Sequence, residues 1–93
     1  MAEHIFKNNP QSQRYELHVD GNIAIAKYVI RNDEVYMMTH TEVPPELEGQ
    51  GIGSELIKKS LEDIRDQGRH VYPICPFVVA YIEKHPEWRS LVK

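Results

Sequence analysis

The chain has 93 residues, 41% of them hydrophobic and 27% charged, a composition typical of one soluble globular domain over residues 1–93. Its formal net charge of −3 argues against non-specific nucleic-acid binding, which requires a basic surface. The N-terminus has neither a basic start nor a long apolar run, so we expect no signal peptide, no membrane span and a cytoplasmic location. A single cysteine excludes an intramolecular disulfide and agrees with a reducing compartment.

The first part of the chain predicts two strands joined by a hairpin turn. Residues 7–13 are polar and predict a frayed lead-in. Apolar and polar residues then alternate over residues 14–19, which is the pattern of a half-buried strand. Asp20 and Gly21 form a two-residue hairpin signal, so residues 22–30 should return antiparallel to the first strand. This second strand is apolar on both faces, which is typical of a central strand covered on both sides.

A third strand is predicted over residues 35–43, after a polar turn. Alternate residues of a regular strand share a face. We therefore expect His40 to lie on the same face as Tyr36 and Met38, and Thr41 to lie on the opposite face.

Two prolines, Pro44 and Pro45, end the sheet ladder because proline cannot donate a backbone hydrogen bond. A glycine-rich loop over residues 48–54 follows and leads into a helix, which ends at Gln67 and Gly68. The helix carries one apolar stripe at helical spacing. The residues of this stripe are Ile52, Leu56, Ile57, Leu61 and Ile64.

A further strand and helix are predicted after this helix. Residues 69–74 have β character, and Pro73 means that the end of the strand cannot be fully paired. Pro76 takes the favoured first position of the second helix, which begins after Cys75 and ends at His85.

Together these elements predict an α+β fold with the order β-β-β-α-β-α and a mixed sheet. The helix between the third and fourth strands requires a crossover connection, which places those two strands parallel. Pro73 should splay them apart near their ends. The tail over residues 87–93 is expected to form a last turn that packs Trp88 and Leu91 against the body of the domain.

The glycine-rich loop is the strongest functional feature, because Gly49, Gly51 and Gly53 stand at alternate positions directly before a helix. Glycines permit positive φ and close approach of a ligand, and a helix start offers unpaired N–H groups to an anion. The spacing is not the Gly-x-Gly-x-x-Gly of a dinucleotide-binding domain, and the Gly-Lys-Ser/Thr ending of a nucleotide P-loop is missing. The loop therefore predicts phosphate binding outside these two classes.

This arrangement resembles the GNAT superfamily of acetyl-CoA-dependent N-acyltransferases. The shared order is a meander, a strand ending in Val-Pro-Pro, a Gly-x-Gly-x-Gly loop at a helix start, then a strand and a short helix, over roughly residues 14–88. Residues 40–54 look more particularly like the minimal, single-domain GNAT-like family. So do the motifs Pro-x-Cys-Pro-Phe at residues 73–77 and Tyr-x-x-x-His-Pro at residues 81–86.

The resemblance implies that the chain binds acetyl-CoA and transfers its acetyl group to an amine. Backbone N–H groups of the loop would hold the CoA pyrophosphate, and the backbone of Thr41 and Val43 would meet the pantetheine arm. The loop residues concerned are Gly49, Gln50, Gly51, Ile52, Gly53 and Ser54.

Three departures from the larger GNAT enzymes leave a second function open. Glu48 stands where the family pattern has Arg or Gln, and a carboxylate does not attract a pyrophosphate. Tyr81 stands one residue before the position of the tyrosine that protonates the CoA thiolate in many of these enzymes. The predicted order also lacks helices between the first two strands and a closing hairpin, which suggests that the acceptor is a lysine or N-terminus of another protein. The alternative is a non-catalytic CoA-binding module or partner-regulated pseudoenzyme.

Three residues are candidates for catalysis. Cys75 stands at a helix start that favours the thiolate, so it would either take the acetyl group as a thioester or act as the acid for the CoA thiolate. His40 is a candidate base for the acceptor amine, and Tyr81 is the third candidate. Purely structural roles remain open for the cysteine and the histidine. The five histidines show no i, i+4 pairing, so we predict no metal site.

Overall fold

The computed structural model describes residues 3–93. Met1 and Ala2, which begin the stretch that led us to expect no signal peptide, lie outside this range. The described strands and helices are β1 (His4–Asn9), β2 (Arg14–Val19), β3 (Asn22–Arg31), β4 (Val35–Glu42), α1 (Ile52–Asp66), β5 (His70–Pro73) and α2 (Pro76–Lys84). Short 3₁₀ segments cover Pro10–Ser12, Pro45–Leu47 and Pro86–Leu91.

One mixed sheet holds the strands in the order β1-β2-β3-β4-β5. The first four strands pair antiparallel, and β4 pairs parallel with β5, to which α1 connects it. The predicted α+β class is therefore confirmed. The parallel pairing of the strands predicted as third and fourth, which are β4 and β5, is confirmed as well.

The expectation of a frayed lead-in was wrong, because residues 4–9 form β1, an edge strand paired with β2. The meander consequently has four strands rather than three. Phe6 packs against the core, and its ring stacks on Tyr15 with centroids 5.5 Å apart. Asn8 accepts a hydrogen bond from the Tyr28 hydroxyl. A polar edge strand of this kind has too few apolar residues to show a period of two in the sequence.

The described helices cover only one face of the sheet. α1 packs on β2 to β5, and α2 packs on α1 beside β4 and β5. We call this side the helix face; Ala24 and Ala26 of β3 are fully buried on it. We call the other side the open face; Ile23 and Val29 of β3 are 39% and 47% exposed there. The expectation that this strand is covered on both sides was therefore wrong.

A β-bulge in β4 sets the faces of its last residues. Met38 pairs with Tyr28 of β3, and His40 pairs with Lys27, the adjacent residue of β3. Thr39 is therefore the extra residue of the bulge. His40 consequently lies on the open face, and Thr41 lies on the helix face with Met38. The expected faces of His40 and Thr41 were wrong, because a regular alternation makes no allowance for an extra residue.

The predicted apolar stripe of α1 is confirmed, since each of its five residues is at most 1% exposed. Burial of such a side chain stabilises the fold by about 1.5 to 3 kcal/mol. The Tyr15 hydroxyl donates a 2.7 Å hydrogen bond to Asp63, which ties β2 to α1. Trp88 and Leu91 of the tail are 8% and 9% exposed, so their predicted packing is confirmed.

Glu16 is a buried carboxylate on the open face, with only 6% of its surface exposed. Burial acts to raise its pKa, but hydrogen bonds with Arg14 (2.7 Å), His18 (2.8 Å) and Asn9 (3.1 Å) outweigh this effect. The net result lowers the pKa of Glu16 to about 2. Ionised Glu16 therefore stabilises the fold.

We expect Glu16→Gln to lower the free energy of unfolding at neutral pH, and to do so less and less as the pH falls from about 4.5 to about 2. A carboxylate whose pKa is lower in the folded than in the unfolded protein contributes its full stabilisation above the unfolded-state pKa. It loses this stabilisation as the pH falls through the folded-state pKa. At neutral pH the free energy of unfolding of wild type should exceed that of Glu16→Gln by at most about 3 kcal/mol. Denaturant titrations across this pH range measure it, with Glu83→Gln on the exposed side of α2 as control. An advantage independent of pH would contradict the prediction.

Candidate functional site

The glycine-rich loop connects the end of β4 to α1. Leu47, 2% exposed, anchors its start in the core. Gly49 and Gly51 have φ values of +78° and +71°, a region that favours glycine. Apart from adjoining residues, no atom of the described chain lies within 4 Å of the position a Cβ would take at either glycine. A ligand therefore has room to approach the backbone closely.

α1 begins at Ile52 with Gly51 as its N-cap residue, and within residues 3–93 no side-chain hydrogen bond caps this start. The first N–H groups of the helix, those of Ile52, Gly53 and Ser54, carry the positive end of the helix dipole. A pyrophosphate fits these residues, because it requires several convergent N–H donors and an open backbone.

Gly53 also has a packing reason to be glycine. A Cβ at this position would lie 2.7 Å from Cζ of Phe77, a residue that is 41% exposed and whose ring lies across the start of α1. The contact joins α1 to α2 beside the loop. Sequence reasoning did not identify it. The feature that could have revealed it is a glycine inside the first turn of a helix, which weakens the helix unless a close contact requires it.

β4 and β5 separate beside this loop. Their pairing ends at Met38 and Pro73, and the backbone N–H groups of Ile74 and Cys75 both donate to the Met38 carbonyl, at 3.0 and 2.9 Å. Residues 39–42 of β4 therefore extend beyond their last partner in β5. This opening, which we call the gap, corresponds to the splaying that Pro73 predicted.

Cys75 lies at the gap as the N-cap residue of α2 and is 7% exposed. Its Sγ lies 3.4 Å from Oγ1 of Thr41. Burial acts to raise the pKa of the Cys75 thiol, but the Thr41 hydroxyl and the nearby backbone N–H groups of Val78 and Phe77 outweigh it. The pKa therefore lies below its ordinary value, as expected where a helix start stabilises a thiolate. The structure thus brings Cys75 and Thr41 together.

His40 lies on the open face, on the opposite side of β4 from Thr41. Its side chain is 52% exposed, and its Nε2 lies 3.0 Å from Oε1 of Glu42. This contact lowers the pKa of Glu42. Because Nε2 faces the carboxylate, Nδ1 is the ring nitrogen left to accept a proton from an acceptor. Sequence reasoning missed Glu42, although its spacing of two residues from His40 placed both on one face of the strand.

Tyr81 is buried in α2, and the centroid of its ring lies 4.2 Å from the centroid of the His85 ring. Burial raises the pKa of Tyr81, the Trp88 side chain opposes this, and the carboxylates of Glu87 and Glu62 raise it further. These neighbours belong to α1 and the tail, whereas the groups that act on the thiol at the gap belong to β4 and α2.

The remaining predicted binding residues lie along the end of β4 and the loop. Val43 packs partly buried against the core. The Gln50 side chain donates a 3.3 Å hydrogen bond to the carbonyl of Glu46, so it holds the loop rather than projecting from it. Ser54 and Glu48 are both exposed.

Residues 3–93 lack two other features. No group of three or more His, Cys, Asp or Glu side chains there is arranged to hold a metal ion. In the same residues, no helix has the length and apolar character needed to cross a bilayer.

A family model described as GCN5-related N-acetyl-transferase matches residues 14–91, which run from β2 to the tail. The chain therefore belongs to the GCN5-related N-acetyltransferase family. The resemblance drawn from the glycine-rich loop and the element order is confirmed. The family supports acetyltransferase activity, and its members generally use acetyl-CoA. No curated protein matches the chain at a significant level.

Proposed function

We propose that this protein is an acetyl-CoA-dependent N-acetyltransferase whose acceptor amine is a lysine side chain or N-terminus of another protein. One observation supports this above all others: the gap connects the two sides of the sheet. The glycine-rich loop and Cys75 lie on the helix face, and His40 lies on the open face. Two substrates that approach a sheet from opposite sides can meet where its strands separate. The family supplies the class of reaction.

The helix face would hold acetyl-CoA, which supplies the acetyl group as an activated thioester. The backbone N–H groups of the loop and of the first turn of α1 would bind its pyrophosphate. The backbone of Thr41 and Val43 would accompany the pantetheine arm to the gap. The pyrophosphate-binding residues would be Gly49, Gln50, Gly51, Ile52, Gly53 and Ser54.

Cys75 would accept the acetyl group, because its lowered pKa favours the nucleophilic thiolate. A bond forms between Sγ and the acetyl carbon while the bond to the donor sulfur breaks. The amine then forms its N–C bond and releases Sγ as a thiolate. An acid role would instead need the thiol to hold its proton until late in the reaction, which a lowered pKa of Cys75 disfavours.

His40 would act as the base for the acceptor. Its Nδ1 takes a proton from the incoming ammonium group, and the Glu42 carboxylate at Nε2 stabilises the imidazolium that forms. A half-exposed base suits an acceptor that arrives from solvent. Tyr81 is a weaker candidate than it was from sequence alone, because its neighbours lie in α1 and the tail.

The open face also offers a second contact for a polypeptide acceptor. A cavity of about 460 Å³ lies there, and its edge at Val35 is about 16 Å from His40 along β4. An extended peptide of about five residues would reach from one to the other, whereas a small amine would reach only one. The cavity is lined by Arg31, Asn32, Glu34, Val35, Met37, Tyr72 and Lys93.

Acetyl-CoA should shift the amide resonances of residues 49–54 in an NMR titration, and leave those of the turn between β3 and β4, at the other end of the sheet from the loop, unchanged. The N–H groups concerned would become hydrogen-bonded to phosphate oxygens. S-Acetylpantetheine, which has no pyrophosphate, is the matched control and should shift residues at the gap but not the loop. Unchanged loop amides at millimolar acetyl-CoA would contradict the proposed enzyme and the alternative CoA-binding module alike. Binding without turnover on any amine would favour the module.

Wild-type protein incubated with acetyl-CoA should gain the mass of one acetyl group, and Cys75→Ala should not. Loss of the thiol should lower the rate of transfer at least about 100-fold. Intact-mass spectrometry and a steady-state assay measure the two effects. Thr41→Val keeps the thiol but removes its hydroxyl partner, so this control should form the adduct more slowly. An equal adduct in wild type and Cys75→Ala would remove Cys75 from the covalent step.

Lysine-containing peptides should be acetylated with kcat/KM at least about tenfold higher than polyamines. Tyr72→Ala removes a half-exposed ring from the cavity on the open face, so it should lower kcat/KM for the peptide but not for the polyamine. Ile5→Ala removes an exposed apolar side chain at the far edge of the same face and serves as the control. Equal kcat/KM for both substrate classes would contradict a protein acceptor.

A further inference from the structure

A smaller cavity, of about 220 Å³, lies between the start of α1 and one side of α2. It borders the glycine-rich loop through Ser54, in the first turn of α1. The other residues recur along α2 at intervals of three and four, so they share one side of that helix. The lining residues are Ser54, Phe77, Ala80, Tyr81, Lys84 and His85.

The far end of this cavity carries positive charge. Lys84 is exposed at the last position of α2, and none of the ion pairs in the described part of the chain involves it. His85 follows, with its Nδ1 3.9 Å from a Glu87 oxygen. Cations at a helix C-terminus also interact favourably with the helix dipole. An anion that entered the cavity would therefore meet an available ammonium group.

The two ends of the cavity are about one nucleotide apart. Phe77 contacts the start of α1 at Gly53, and Lys84 lies two turns further along α2, about 10 Å away. Ala80, between them, is small and exposed, so it leaves the middle of the cavity open. A ribose with one phosphate group at each end fits a space of this length.

We propose that Lys84, assisted by His85, binds the 3′-phosphate of CoA, so that the protein discriminates CoA from dephospho-CoA. The inference rests on the proposed function, because it takes the pyrophosphate to lie at the start of α1. Glu48 gives the loop no electrostatic attraction for phosphate. The lysine supplies, at the other end of the nucleotide, a charge-assisted hydrogen bond to a phosphate oxygen.

Isothermal titration of wild type, Lys84→Gln and Lys7→Gln with CoA and with dephospho-CoA tests the proposal. Wild type should bind CoA about tenfold more tightly than dephospho-CoA, as one charge-assisted contact implies. In Lys84→Gln this ratio should fall toward one, with affinity for dephospho-CoA kept within about twofold. Lys7→Gln removes an exposed charge from β1, outside the cavity, and should keep the wild-type ratio. Higher salt should reduce the ratio in wild type.

Each remaining outcome overturns a defined claim. Equal affinity of wild type for CoA and dephospho-CoA overturns the 3′-phosphate site and leaves the proposed function intact. So does a Lys84→Gln variant that binds both ligands more weakly by the same factor, because the lysine would then act elsewhere. If wild type binds neither ligand, the proposed function fails, and the 3′-phosphate site fails with it.

Discussion

The candidate site depends on the backbone carbonyl of Met38, which accepts hydrogen bonds from the N–H groups of both Ile74 and Cys75. This double acceptance ends the parallel pairing of β4 and β5, and Pro73 has no N–H group with which to pair there. The chain leaves the sheet at once and begins α2. Cys75 therefore becomes a helix cap with its thiol beside Thr41, instead of one more residue of a strand.

The bulge at Thr39 determines which side chain faces which side of the sheet. Without the extra residue, His40 would share the helix face with Met38, and Thr41 would face solvent, away from Cys75. With it, a thiol partner lies on one side of β4 and a half-exposed imidazole on the other. Because the described helices form one layer, the open face stays uncovered in residues 3–93.

The sequence by itself determined the α+β order, the hairpin, the amphipathic α1, the parallel pairing across α1 and the family. Each of these rests on a local pattern. Alternation and helical spacing record which side chains are buried, and Asp20–Gly21, Pro44–Pro45 and the glycines at residues 49–53 record what the backbone must do at those positions. The position of Cys75 before a proline likewise predicted its place at a helix start.

Only the tertiary structure decided the edge strand β1, the bulge, the uncovered face and the contacts of the candidate site. Cys75 with Thr41 and Gly53 with Phe77 join residues more than twenty positions apart, and the pairing of His40 with Glu42 on the open face depends on strand register. A shift of one residue in register moves a side chain to the other face of a sheet. Register depends on the pairing of whole strands and the docking of α1, which local residue patterns do not record.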